Sequence, residues 1–274
     1  MSLKIYYLST EIDPFSKTDS LASFSKEFST IINSNKDCDI RLIQPKYNYI
    51  SDRRFILREV IRLKDLLINF GDISQMINLR SGFIPGTKVQ VYFMEHEKYF
   101  DVSELIYKSK NGRLYNNNHE KFSFFSFAAL DTLKKLFWTP DIIIYNNWQT
   151  SLCPVIMDEM FADILSQTKK VFFVHSINDL YNFKNNLFSR FNLDSKKNNL
   201  VTNNLINSIK KSDITFFIDD ENNNISNFIK KDKNIKKILN NKNHKIINYN
   251  LEMDSPERID IYNNILSDLK KIKK

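Results

Sequence analysis

Lys17 lies in the polar stretch DPFSKTDSL (13–21), between the apolar run KIYYLS and the amphipathic run ASFSKEFSTII. That order reads as strand, loop and helix. The first turn of such a helix offers unpaired N–H groups and a positive dipole end to an anion. Lys17 strengthens a phosphate site there, and Asp19 opposes it. Asp19 and Ser20 are also good N-cap residues, able to satisfy an orphan N–H for roughly 0.5–2 kcal/mol. A carboxylate beside a bound phosphate costs about 4 kcal/mol per like-charge pair at ~4 Å and an effective dielectric near ~20. The expected loop is a self-capped helix start that holds a phosphate weakly. His175 ends the apolar run KVFFVH (170–175). At the carboxyl edge of a parallel strand it faces the ligand crevice, which makes it a candidate site residue. Glu11 and Asp13 are expected to be solvated, and His96, His119 and His244 to lie on the surface. Cys38 and Cys153 are far apart and have no metal-ligand spacing. No metal site and no cofactor are expected, and no complete P-loop or nucleophile triad occurs.

The elements that position these residues are legible as short apolar runs rich in Ile, Val, Phe and Tyr, at 4–9, 39–45, 88–94, 141–146, 170–175 and 213–219. Parallel strands covered on both faces read this way. Helical patterns alternate with them at 20–33, 118–138, 152–167, near 202–211 and near 222–231. The alternation predicts an α/β fold, a Rossmann-like, mostly parallel sheet between two helix layers. Between 55 and 94, REVIRLKDLLINF and SQMINLRSGF read as a hairpin-like β insertion. The Asn- and Lys-rich region 184–211 is expected to loop over the surface before its helix. A last helix starts at Ser255-Pro256-Glu257, with Ile259, Tyr262, Ile265, Leu266 and Leu269 as its apolar stripe.

A chain of 274 residues is long enough to bury a full α/β core. Residues 1–183 carry 22 Lys/Arg against 21 Asp/Glu, and residues 184–274 carry 18 against 11, so the +8 net charge sits almost wholly in the last third. Lys far outnumbers Arg, and the abundant residue types are those with A/T-rich codons. The Arg and aromatic interleaving of a base-stacking surface is missing, so nucleic acid is not an expected partner. The N-terminus lacks a signal-peptide pattern, and no run approaches a membrane span. A cytoplasmic protein without a membrane partner is expected.

YYLSTEIDPFSKTDSLASFSKEF resembles the N-terminal signature of bacterial glycogen synthases and plant starch synthases, in which a Lys-Thr-Gly-Gly-Leu loop opens the first helix. IRLIQPKYNYI, VYFMEHEKYFD, GRLYNNNHEKFSFFSFAALDTL, WTPDIIIYNNWQTSL, KVFFVHSINDLY and INSIKKSDITFFIDDENNNI follow that family in order and spacing, across about 3–230. The resemblance implies the N-terminal half of a two-lobed GT-B glycosyltransferase. It implies one such domain over 1–274, with 231–274 an extension ending in a helix and the C-terminal nucleotide-sugar-binding domain absent. The implied activity moves glucose from ADP-glucose to an α-1,4-glucan. Activity of the chain alone is not expected, because the other half supplies the cationic pair that neutralises the leaving diphosphate.

By the same resemblance, Lys17 is the lysine that contacts the donor diphosphate through charge-assisted hydrogen bonds. Asp19 and Ser20 stand in place of two glycines. Asn146, Asn147 and Gln149 replace a His, an Asp and a second His around the retained Trp148 and Thr150. Amides at 147 and 149 bind sugar hydroxyls but neither ionise nor exchange protons near neutral pH. His175 matches the histidine that hydrogen-bonds the transferred glucose, and Ser176 replaces an Asn. Two alternatives stand beside transfer. One is a non-catalytic protein that binds glucan or docks on a partner subunit supplying or covering the missing half. The weaker one is a polyanion binder using the basic last third.

Overall fold

The computed structural model describes residues 2–102, 105–220 and 223–273. In chain order its elements are β1 (Leu3–Leu8), α1 (Ser20–Ser34), β2 (Cys38–Pro45), α2 (Asp52–Phe55), β3 (Arg58–Glu59), β4 (Leu66–Phe70), β5 (Ile73–Phe83), β6 (Gln90–Glu95), α3 (Glu97–Phe100) and α4 (Asn118–Leu136). They continue with β7 (Ile142–Asn146), α5 (Cys153–Met160), α6 (Ala162–Leu165), β8 (Lys169–Val174), α7 (Asn185–Arg190), α8 (Asn204–Lys211), β9 (Ile214–Asp219), α9 (Ile225–Lys231), α10 (Lys233–Leu239), β10 (His244–Asn248) and α11 (Ser255–Lys273).

The sheet runs β10-β9-β8-β7-β1-β2-β6-β5-β3, with β4 paired to β5. Every neighbour from β10 to β6 is parallel, and only the β3–β4–β5 insertion pairs antiparallel. The central strands are apolar on both faces because helices cover both: Ile5, Tyr7, Leu8, Ile142, Ile144, Val171 and Phe173 are all fully buried. The chain walks outward from β1 through β2 to β6, then returns to β7 and walks the other way. β1 and β7 therefore flank the topological switch point, where an open α/β sheet places its ligand crevice.

α1 packs over β2, and three of its buried positions, Ser23, Ser25 and Ser29, are small and polar. Ser25 Oγ lies 3.1 Å from the Tyr7 hydroxyl and 3.2 Å from Ser9 Oγ. The β insertion is pinned by its tip. Gly71 has φ +61°, and a Cβ there would sit 1.8 Å from the Arg190 carbonyl oxygen, so no side chain fits. Phe70 stacks on Phe127 and Phe191 at 4.5 and 4.3 Å.

Three expectations need correction. The region 184–211 is not all surface loop: it contains α7, and Leu187, Phe188, Phe191 and Leu193 enter the core. The helix expected over 152–167 breaks at Phe161 into α5 and α6. β10 had no counterpart in the sequence reading. It pairs in parallel with β9 and hands the chain to α11, which returns to pack on α1.

Candidate functional site

A cleft of about 480 Å3 opens at the carboxyl ends of β1, β7 and β8, at the switch point. One wall is the loop between β1 and α1. Asp19 is the N-cap of α1, extended at φ −148°, and its Oδ1 accepts the Ser20 N–H at 2.6 Å. The expected self-capped start is thus the geometry present, with the carboxylate exposed at the cleft. Lys17 is exposed on the same wall and makes no ion pair among the described residues.

Glu11 departs from the reading as a solvated charge. It is 1% exposed. Its carboxylate accepts the Thr18 N–H, the Thr18 hydroxyl at 2.7 Å and the Tyr107 hydroxyl at 2.7 Å. Burial pushes its pKa up, while these donors pull against the rise. A carboxylate of this chain already occupies a backbone donor of the loop that was expected to hold an anion. Asp13 lies outside the cleft and pairs with Lys26 at 3.3 Å.

The second wall is the turn after β7. Asn147 has φ +52° and ψ −167°, a backbone region that disfavours a side chain. The turn is held because Asn147 Oδ1 accepts the His175 N–H at 2.6 Å and the Ser176 N–H at 3.2 Å. Thr150 Oγ1 closes it by accepting from Asn146 N and donating to Asn146 O. Replacing Asn147 by alanine removes the acceptor and keeps the strain, whereas glycine removes both. Chemical denaturation is expected to find Asn147→Gly more stable than Asn147→Ala by about 1 kcal/mol. Equal stabilities would show that the backbone is unstrained.

Trp148 and Gln149 complete this wall. The Trp148 ring is 3% exposed and packs edge-on against Tyr107, Phe122 and His119, which leaves no open face for a sugar to stack on. Gln149 is 4% exposed, and its Oε1 is a buried acceptor without a hydrogen-bond partner. A ligand hydroxyl donor would satisfy it.

Asn146, Ser20 and His175 are not cleft-lining residues. Asn146 points under α1, where its Nδ2 donates to the Leu8 carbonyl at 2.8 Å and its Oδ1 accepts the Tyr7 hydroxyl at 3.2 Å. His175 is 1% exposed, 3.3 Å from that same oxygen and edge-on to Phe24. Burial pushes its pKa down to about 3, so the imidazole is neutral and sits behind the wall. The surface expectation also fails for His96, which is buried and caps α3, and for His119, which is half-buried against Phe183. His244 is exposed on β10.

The third wall, 105–108 with Leu114, was not anticipated. This segment has neither periodicity nor a motif, and only Tyr107 carried a usable signal, a long hydrogen-bonding side chain between the apolar pair Leu105-Ile106 and the polar run that follows. The start of α4 anchors it: Asn118 Nδ2 donates to the Tyr107 carbonyl at 2.8 Å, and Lys121 Nζ to the Ile106 carbonyl at 3.0 Å. Among the described residues no cluster of His, Cys, Asp and Glu is arranged to hold a metal, and no helix is long and apolar enough to cross a membrane.

A mostly parallel sheet with helices on both faces and a polar cleft at the switch point defines a Rossmann-like α/β domain. The starch synthase catalytic domain model matches residues 4–216, and the chain belongs to that family. It is 34% identical over 178 residues to a glycogen synthase of Chlorobium limicola, covering 64% of this chain and 36% of that protein. A glycogen synthase of Chlorobium chlorochromatii is 33% identical over 189 residues, covering 68% of this chain and 38% of the relative. The chain thus spans little more than a third of the length of these curated relatives. In fold it is similar to the catalytic domain of starch synthase IV from Arabidopsis thaliana bound to ADP and acarbose. The TM-score is 0.68 at 18% identity, covering 90% of this chain and 51% of that one.

Proposed function

We propose that this domain takes the sugar end of an α-1,4-glucan or of ADP-glucose in its cleft, and that glucose transfer requires a second lobe facing it. The observation that carries this reading is the charge at the cleft. Two carboxylates, Glu11 and Asp19, border it with the lysines Lys17 and Lys108, and the polar side chains that follow β7 and β8, Asn147, Gln149, Ser176 and Asn178, are neutral. Neutral amides suit sugar hydroxyls. The carboxylates oppose a diphosphate, which Lys17 and Lys108 are the cleft lysines to attract. None of the side chains at 146, 147 and 149 can carry a proton in the reaction. His175 serves as a positioning residue, fixing Asn146 and, through its backbone N–H, Asn147. The facing lobe, as a partner subunit or otherwise, supplies the further cations for the departing diphosphate.

Titration calorimetry with maltoheptaose, ADP-glucose and ADP, beside incorporation of labelled glucose into glycogen, tests the proposal. The expected outcome is glucan binding, weak ADP binding and no sustained incorporation by the chain alone. Micromolar ADP-glucose affinity with continuous turnover would overturn it. Glucan binding that yields no incorporation under any complementation favours the non-catalytic reading.

A further inference from the structure

Lys121 is 1% exposed in the first turn of α4. A lysine this deep normally faces a carboxylate. Lys121 forms no ion pair among the described residues. Its ammonium donates to the Ile106 carbonyl at 3.0 Å and lies over the rings of Tyr115 and Phe122, 5.1 and 4.9 Å from their centroids. The carboxylate next to it in sequence, Glu120, is held by Tyr99 and Arg190. Among the described residues between α3 and α4, Lys108, Lys110 and Arg113 carry charges like its own, and Asp101 accepts from Asn48.

The carbonyl it holds belongs to a residue of the cleft wall, and the next residue, Tyr107, bonds Glu11, which holds Thr18. One chain of contacts therefore runs from the buried amine through the 105–108 wall to the loop that carries Lys17 and Asp19.

We propose that Lys121 is a positioning residue, a protonated clamp that fixes the 105–108 wall of the cleft in its ligand-ready place. A buried cation with no counter-ion among the described residues is a burden on the fold, and the wall is what it holds in return. A charge-assisted bond to a carbonyl is about twice as strong as a neutral one, and cation–π contacts to both rings add to it. A neutral amine forfeits these.

Burial lowers the amine's pKa to about 8, below its unfolded value. The clamp is therefore formed below pH 8 and released as pH rises through 8. Over the same rise the unfolded chain holds more protons at this lysine than the folded one, so its contribution to global stability increases. Wall and core are expected to respond to alkaline pH in opposite directions, which a merely structural lysine would not produce.

Amide hydrogen exchange, corrected for intrinsic rates, reads this in Lys121→Met and Lys121→Arg. In Lys121→Met, exchange at Tyr115, whose N–H is held by the Tyr107 carbonyl, and at Ser109 is expected to rise about tenfold or more while β7 and β8 keep their protection and thermal stability does not fall. Maltoheptaose affinity drops several-fold and loses its pH dependence, and arginine, which stays charged, restores the affinity without the pH dependence. Unchanged exchange at Ser109 and Tyr115, or loosening spread evenly over α4 and the sheet, would overturn the proposal. Should Lys121→Met not fold, the wild-type chain between pH 7 and 9 decides. Loss of protection confined to the wall supports the clamp, and parallel changes in wall and core refute it. Only the affinity arm rests on the glucan-binding reading. A wild type that binds no maltoheptaose sinks that reading and leaves the exchange result to stand or fall alone.

Discussion

Replacing Tyr262 by alanine is expected to lower the free energy of unfolding by about 3–5 kcal/mol, read from the urea midpoint. Tyr262 is 1% exposed at the centre of the contact between α11 and α1. Its ring meets Phe24 and Phe28 edge-on at 5.4 and 6.1 Å. Its hydroxyl donates to Glu27 at 2.9 Å and lies 2.9 Å from the Tyr249 hydroxyl, and Arg258 joins Glu27 at 2.9 Å. Tyr262→Phe keeps the ring and loses the polar contacts, for about 1–2 kcal/mol. The effect is relevant to the cleft because α1 carries Asp19 at its start and Phe24 packs directly on His175. A midpoint unmoved by Tyr262→Ala would show that α11 is not docked on α1 in solution.

Converting Asp19 and Ser20 together to glycine is expected to tighten ADP binding about 30-fold. Asp19 is exposed, so the repulsion it exerts on a diphosphate is the solvent-screened one, about 1 kcal/mol at ~4 Å. Removing its side chain also frees the Ser20 N–H, now held at 2.6 Å, for the ligand, worth about 1 kcal/mol more. The sum of roughly 2 kcal/mol corresponds to that factor. Calorimetry at two salt concentrations checks the origin, since the gain must shrink as exposed charges are screened. Adding Lys17→Ala to the glycine pair should abolish it. If the double variant binds ADP no better than the parent, self-capping is not what weakens this loop.

The six expected core strands appear within two residues of their positions because both faces of each are covered, so burial is written into sequence as an unbroken apolar run. β10 was missed for the opposite reason: its residues are mostly exposed and it forms by pairing with β9, which no local pattern records. α7 hid in an Asn-rich stretch because its apolar residues, Leu187, Phe188 and Phe191, are few and find their partners across the fold.

At the cleft, Lys17 and the cap at Asp19 were legible because both depend on neighbours within a few residues. Glu11 and His175 were misjudged in depth. Each is buried by a segment distant in sequence, Glu11 beneath Tyr107 and His175 beneath Phe24. Lys121 carried no signal, since a lone lysine in a polar first turn reads as solvated. Local order thus settles what a residue can do with its neighbours: form a strand, cap a helix, offer a charge. Whether a charged or titratable group meets water, a ring or another chain segment is decided only when distant pieces close over it. Desolvation depends on everything within a few ångströms in space, and very little of that lies nearby along the chain.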